Sequence, residues 1–225
     1  MLKAQPEDFR SVLSGKQMAM FFEKPSLRTR LTFEAGMASL GGVTFFIDQT
    51  HERLNARESL SDIAHNVERW VDAVVMRTYE QSSIEGMAEH ACIPVINALS
   101  GLEHPCQALA DYFTLQERFG DLKDVQLAYV GDGNNVANSL LLTCALLGSS
   151  IRVATPQGYG PDSDILLEAQ AIAQQTGSRI EVMIDSPKRW TERMRCIQTS
   201  GRAWVGRRKR ANVFRSSRRI RSAEN

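Results

Sequence analysis

Short apolar runs alternating with helical patterns constrain this chain most. Strand candidates fall at Gln17–Phe22, Val43–Ile47, Ala73–Arg77, Pro94–Asn97, Val125–Val130, Ile151–Ala154 and Arg179–Met183, each bounded by turn residues. Uninterrupted apolar runs of that length suit strands buried on both faces. Between them lie helical patterns at Thr29–Leu40, Ser59–Trp70, Ser82–Ala91, Pro105–Phe119, Asn135–Leu147 and Pro161–Thr176. The second of these is expected to place Ile63, Val67 and Trp70 on one face. Repeated strand–helix alternation predicts an α/β protein of parallel sheets flanked by helices. A domain boundary is expected near residue 120, after the Pro105–Phe119 helix. That gives a first domain over 1–120 and a second over 121–188.

The chain has 225 residues, 43% of them hydrophobic and 24% charged, which excludes wholesale disorder. No apolar run approaches the roughly 20 residues needed to span a bilayer, and no secretory leader is visible at the amino end. Cys92, Cys106, Cys144 and Cys196 lie far apart, so reduced thiols and a cytoplasmic setting are expected.

A net charge of +1 hides a sharp division. Residues 1–188 carry 15 Lys and Arg against 24 Asp and Glu, whereas residues 189–225 carry 12 against 2. The basic tail has no sustained helical or strand period. It reads as a disordered basic segment, as a nucleic-acid contact through phosphates, or as a translational accident.

Three constellations carry chemistry. The segment Glu23-Lys24-Pro25-Ser26-Leu27-Arg28-Thr29-Arg30 joins a strand to a helix. Free N–H groups at a helix start, with the Ser26 and Thr29 hydroxyls and Arg28, form a cradle for an oxyanion. Arg28 can clamp two phosphate oxygens at once, here in an expected buried, charge-assisted contact. The alternative is a capped helix with surface arginines. Next, His104-Pro105-Cys106-Gln107 opens a helix, with His104 just outside it. A histidine there can stabilise an oxygen that gains negative charge, and Gln107 can read an amide, although a lone histidine is more often structural.

The third constellation is Gly131-Asp132-Gly133-Asn134-Asn135-Val136-Ala137-Asn138-Ser139. It fits a dinucleotide fingerprint poorly, because Val136 holds the third glycine position and no acidic residue follows the next strand. Its paired amides suit an amino-acid substrate better. Arg77 closes the Ala73–Arg77 strand at the sheet end where ligands of parallel sheets bind, though by itself it reads as an arginine reaching solvent.

Taken in order, S-x-R-T-R, R-T after a strand, H-P-x-Q-x-L-A-D and G-D-G-N-N resemble the aspartate/ornithine carbamoyltransferase family, and within it the ornithine branch. The resemblance runs from about Met1 to about Lys188. It implies that Ser26, Leu27, Arg28 and Thr29 bind the phosphate of carbamoyl phosphate. Arg77, His104 and Gln107 would hold the carbamoyl group, with Arg77, His104 and Thr29 as the catalytic set. Asn135 would contact L-ornithine. The family's chemistry needs neither metal nor organic cofactor, and its members form homotrimers. A loop aligned with Glu52–Ser59 reaches the neighbouring subunit there, which places Arg53 near the partner's site.

Departures accompany the resemblance. Leu27 stands where threonine is frequent, and Arg53 where glutamine is frequent. The amino end looks shortened. The family's D-x-W-x-S-M-G and H-C-L-P motifs are missing after residue 190, so the second domain is expected to be incomplete and the chain inactive as written. A frame change near Lys188 accounts for this. When each codon's third base is read with the next two bases, Trp190-Thr191 dictates Asp and Trp204-Val205 dictates Gly. Cys196-Ile197 then allows His or Tyr, and Gln198-Thr199 Asp or Asn. With free choice elsewhere the line can read H-T-D-V-W-A-S-M-G. The rival readings are a carbamoyltransferase for another amine or an acylated ornithine, and a non-catalytic protein whose tail binds nucleic acid. On this reading the sheet that begins at Val125 has three strands and an open edge.

Overall fold

The computed structural model describes residues 9–54, 56–184 and 195–198. Two parallel four-stranded sheets follow one another along the chain. The first contains β1 (Gln17–Phe22), β2 (Val43–Asp48), β3 (Ala73–Arg77) and β4 (Val95–Leu99), in the order β2-β1-β3-β4. Its crossovers are α1 (Leu27–Ser39), α2 (Leu60–Val67) and α3 (Gln81–His90). Helix α4 (Pro105–Phe119) leads to the second sheet, made of β5 (Gln126–Val130), β6 (Ser150–Thr155), β7 (Arg179–Ile184) and β8 (Arg195–Gln198). Its order is β7-β6-β5-β8, with α5 (Asn135–Leu147) and α6 (Ser163–Thr176) between strands. The α/β class expected from the alternation is the class observed.

Sequence accounts for these elements locally. Central strand β1 buries five consecutive residues from Met18 to Phe22, and β3 buries Val74, Val75 and Met76, as strands covered on both faces must. Helix α1 starts where the Ser26 side chain accepts from Thr29 N. Helix α4 begins with Pro105 at its first position, where no intrahelical N–H is lost. Helices α5 and α6 end on Gly148 and Gly177, both in the left-handed region.

The first sheet separates two apolar layers, one around Phe21, Val74, Met76 and Met87, the other around Met20, Phe22 and Val75. The second domain's core gathers Leu127, Tyr129, Leu140, Leu141, Ile151 and Val153, and it takes in Ala108 and Tyr112 from α4. Helix α4 therefore belongs by packing to the second core while its first residue follows the first sheet.

Two expectations are corrected. Helix α2 ends at Val67 rather than continuing to Trp70, and the chain turns so that Trp70 is 66% exposed instead of sharing the face of Ile63 and Val67. The second sheet has a fourth strand, because β8 pairs in parallel with β5 through Leu127↔Arg195 to Val130↔Gln198. It was missed because residues 195–198 carry no continuous apolar run. The rest of the basic tail, with its proposed nucleic-acid contact, lies outside the described residues.

Candidate active site

Strands β1 and β3 are adjacent and in register, with Phe22 opposite Arg77. The backbone N of Glu23 donates to Arg77 O at 2.9 Å, so the turn into α1 leaves the sheet beside Arg77. Both features lie at the carboxyl ends of parallel strands, where the crossovers diverge and leave a crevice.

The start of α1 is built as a cap. Ser26 Oγ donates to Thr29 Oγ1 at 2.8 Å and accepts from Thr29 N at 3.4 Å. Leu27 and Arg28 point outward, Leu27 with 74% exposure. Arg28 is exposed. Arg30 is occupied otherwise, pairing with Glu34 at 2.9 Å and lying 3.7 Å over the Phe46 ring.

Arg77 lies close enough to His104 for its charge to act on the imidazole. Arg77 Nε and His104 Nδ1 are both buried with no hydrogen-bond partner among the described residues. Burial holds the Arg77 guanidinium below its ordinary value. Burial first, and then the charge of Arg77, holds His104 below its usual range, which keeps the imidazole neutral near pH 7.

Lys24 and Glu23 are site residues that sequence reasoning passed over. Lys24 lies 4.6 Å over the Tyr79 ring, and its ammonium is pushed down by burial and then by Arg77. Glu23 is 4% exposed, and its carboxylate accepts from Tyr79 N at 2.9 Å and Leu54 N at 3.3 Å. It ties the 50–59 loop and the β3–α3 loop to the end of β1. The available signal was a charged pair directly after the apolar run Met18–Phe22.

The remaining predicted residues are placed as follows. Gln107 is exposed, and its Nε2 donates to Asp111 Oδ1 at 3.0 Å, one turn along α4. Arg53 faces Glu80 at 3.8 Å, both exposed. Asn135 donates from Nδ2 to Ser100 O at 2.9 Å, across the two domains. Arg77 thus stands beside the turn that leads to Ser26 and Thr29, and its charge reaches His104, whereas the amides of Gln107 and Asn135 are engaged with protein.

The glycine turn after β5 is closed to a dinucleotide. Gly133 N donates to Tyr159 O at 2.7 Å, and a side chain at Gly133 would collide with the backbone of Gly160 and Pro161. Asp132, Asn134 and Tyr159 line a small cavity there, about 220 Å³ in volume. Among the described residues no group of three His, Cys, Asp or Glu side chains converges as a metal site, and no helix is long and apolar enough to cross a membrane. Cys92, Cys106 and Cys144 are free thiols.

Comparison with known proteins agrees with this arrangement. The profile of the "Aspartate/ornithine carbamoyltransferase, carbamoyl-P binding domain" matches residues 1–117, and that of the "Asp/Orn binding domain" matches residues 123–222. An ornithine carbamoyltransferase of Shewanella oneidensis is 49% identical over 184 residues, covering 82% of this chain and 61% of that protein. The solved ornithine carbamoyltransferase of Pyrococcus furiosus superposes with a TM-score of 0.78 at 43% identity, covering 82% of this chain and 60% of that one. An N-acetyl-L-ornithine transcarbamylase structure gives a TM-score of 0.72 at 26% identity, covering 82% and 64%. This chain spans about 60% of the length of the curated relatives it matches. Two matched profiles, the shared fold and the motifs in their family order place this chain in the aspartate/ornithine carbamoyltransferase family.

Proposed function

We propose that the first domain binds carbamoyl phosphate and that the complete fold transfers its carbamoyl group to the side-chain amine of L-ornithine. The observation that carries this reading is the pair of buried, unpartnered nitrogens, Arg77 Nε and His104 Nδ1, with Arg77 at the strand end beside the turn into α1. The phosphate sits on the α1 N-terminus, with Ser26, Leu27 N–H, Arg28 and Thr29 around it. Arg77 and His104 polarise the carbamoyl oxygen, and Gln107 turns from Asp111 to hold the carbamoyl amide. Asn135 exchanges Ser100 for ornithine. The neutral amine of ornithine attacks the carbamoyl carbon, the C–O bond to phosphate breaks, and the amine's proton is lost. The products are citrulline and inorganic phosphate, reached by orientation and by charge stabilisation on the developing oxyanion.

Ornithine is favoured over an acylated ornithine by the higher identity to solved structures named for ornithine, 43% against 26%. In this reading the enzyme is a cytoplasmic homotrimer of arginine metabolism, with Arg53 reaching the neighbouring subunit. The present chain is inactive because its reading frame changes near codon 188.

The experiment is to restore the frame, read to the natural stop and assay citrulline formation from carbamoyl phosphate and ornithine. Citrulline is expected from the restored chain and not from the present one. An early stop, or no H-C-L-P downstream, contradicts the frame change. A restored, folded enzyme that carbamoylates a different amine contradicts the choice of ornithine.

A further inference from the structure

The start of α5 is bound to the loop that carries His104 by polar contacts from three residues. Asn135 Nδ2 donates to Ser100 O at 2.9 Å, and Asn138 Nδ2 donates to Leu102 O at 2.9 Å. Ser139 Oγ accepts from His104 N at 2.8 Å and donates to Glu103 Oε2 at 3.3 Å. Asn138 and Ser139 are 3% and 1% exposed. The loop is stiff on its other side as well. Ser100 Oγ accepts from Leu102 N and Glu103 N, at 3.1 and 2.9 Å, and donates to Gln81 Oε1 at 2.7 Å.

His104 thus takes its position from two domains at once. Its helix, α4, follows the first sheet, whereas its own N–H is held by a hydroxyl on the second domain. His104 Nδ1 is buried without a hydrogen-bond partner among the described residues, so no bond through Nδ1 holds the ring, whereas its backbone N–H is held by Ser139. An imidazole that must meet a small carbonyl oxygen loses much of its effect if displaced by about an ångström.

We propose that Ser139 is a positioning residue: through the His104 N–H it holds the His104 imidazole inside the crevice, facing Arg77. The second domain then contributes to carbamoyl recognition before any ornithine is bound. Asn138 supports the same placement by fixing Leu102 while its Oδ1 accepts from Asp162 N at 3.1 Å, so the α6 cap is joined to the loop. The role assigned to His104 rests on the carbamoyl-transfer reading, whereas the anchoring does not.

The test uses the full chain with isotope-labelled histidine, whose four imidazoles are followed by NMR against pH, with His104→Gln assigning the signal. The charged group that bears on the ring is Arg77, from β3; Glu103, which also bonds Ser139, has its carboxyl pushed up by burial while the Ser139 bond opposes that. In the wild type His104 titrates below its ordinary range. Ser139→Ala is expected to move that titration up towards the ordinary value, and Ser139→Thr, which keeps a hydroxyl, to hold it. Ser178→Ala provides the structural control, because Ser178 Oγ bonds Cys144 O and Ala145 O at the far end of α5. It is expected to lower stability without moving His104. Calorimetry with carbamoyl phosphate adds a second readout, with Ser139→Ala about five- to tenfold weaker and Ser139→Thr close to wild type. An unchanged His104 titration in Ser139→Ala, or the same shift in Ser178→Ala, overturns the proposal. If the wild type binds no carbamoyl phosphate, the functional reading fails and the titration alone decides the anchoring.

Discussion

Helices α1 and α5 are the same local device used for opposite ends. Each follows a central parallel strand, and each begins at a polar cap, Ser26 for α1 and Asn134 for α5. Yet α1 buries no residue, and Leu27 and Leu31 on it are exposed. Helix α5 buries Ala137 through Leu141, then Cys144 and Ala145. The turn before α1 brings Lys24, whose ammonium is pushed down by burial and then by the charge of Arg77. The turn before α5 brings amides that bond inward to protein. The α1 start is exposed, whereas Asn138 and Ser139 near the α5 start are buried and bonded to the loop that carries His104. The contrast lies in burial, which the capping residues alone do not reveal.

The largest break in this contrast comes from the core. Leu140→Ala should cost about 2–5 kcal/mol, since it empties a fully buried position in the second domain. Denaturant unfolding measures it, and a change below about 1 kcal/mol would mean α5 is not the structural member of the pair. Asn134→Ala should cost about 1–2 kcal/mol, because its Oδ1 accepts from Val136 N and Ala137 N at the start of α5. By the same measurement Leu31→Ala on α1 should stay within about 0.5 kcal/mol.

The pH dependence sharpens the comparison at the seam between the two regions. Folded His104 is held below its ordinary value of 6.5, by burial and then by Arg77. As pH falls through that value the unfolded chain takes up a proton that the folded chain refuses, so stability falls with it. The loss ends once folded His104 itself protonates. Glu103 and Asp111 act in the opposite sense at lower pH, because burial raises both carboxyls and their folded forms bind protons first. Melting temperatures of the wild type and His104→Gln, compared between pH 7.5 and 5.5, isolate the histidine. The wild type should lose more on acidification, and equal losses would place His104 in solvent.

Much of this molecule is legible in its sequence, for a physical reason. Strands β1 and β3 and helices α4 and α5 have the bounds expected, because a run such as Met18–Phe22 and a start such as Pro105 are local signals. Trp70 was misplaced because a helical period does not reveal where a chain turns away from its core. The strand β8 was missed because its pairing with β5 is a property of the sheet and not of residues 195–198. At the site, motif order brought out Ser26, Arg28, Arg77 and His104. Glu23 and Lys24 were passed over because a charged pair after a strand reads as solvated surface, whereas here Glu23 is buried by loops 31 and 56 residues away. Nothing in the spacing of Ser139 foretold its bond to His104, which depends on how two domains meet.

The central claim is that the open helix start in the first domain binds the phosphate of carbamoyl phosphate. Isothermal calorimetry of the full chain with carbamoyl phosphate tests it most directly, with Arg28→Ala alongside. Arg28 is exposed and far from either core, so its removal should leave the fold intact while weakening binding by about 1.5–3 kcal/mol, the range for a hydrogen bond to a charged group. Measurable binding by the wild type with that loss in Arg28→Ala is the predicted result; equal affinity in the two folded proteins would contradict it.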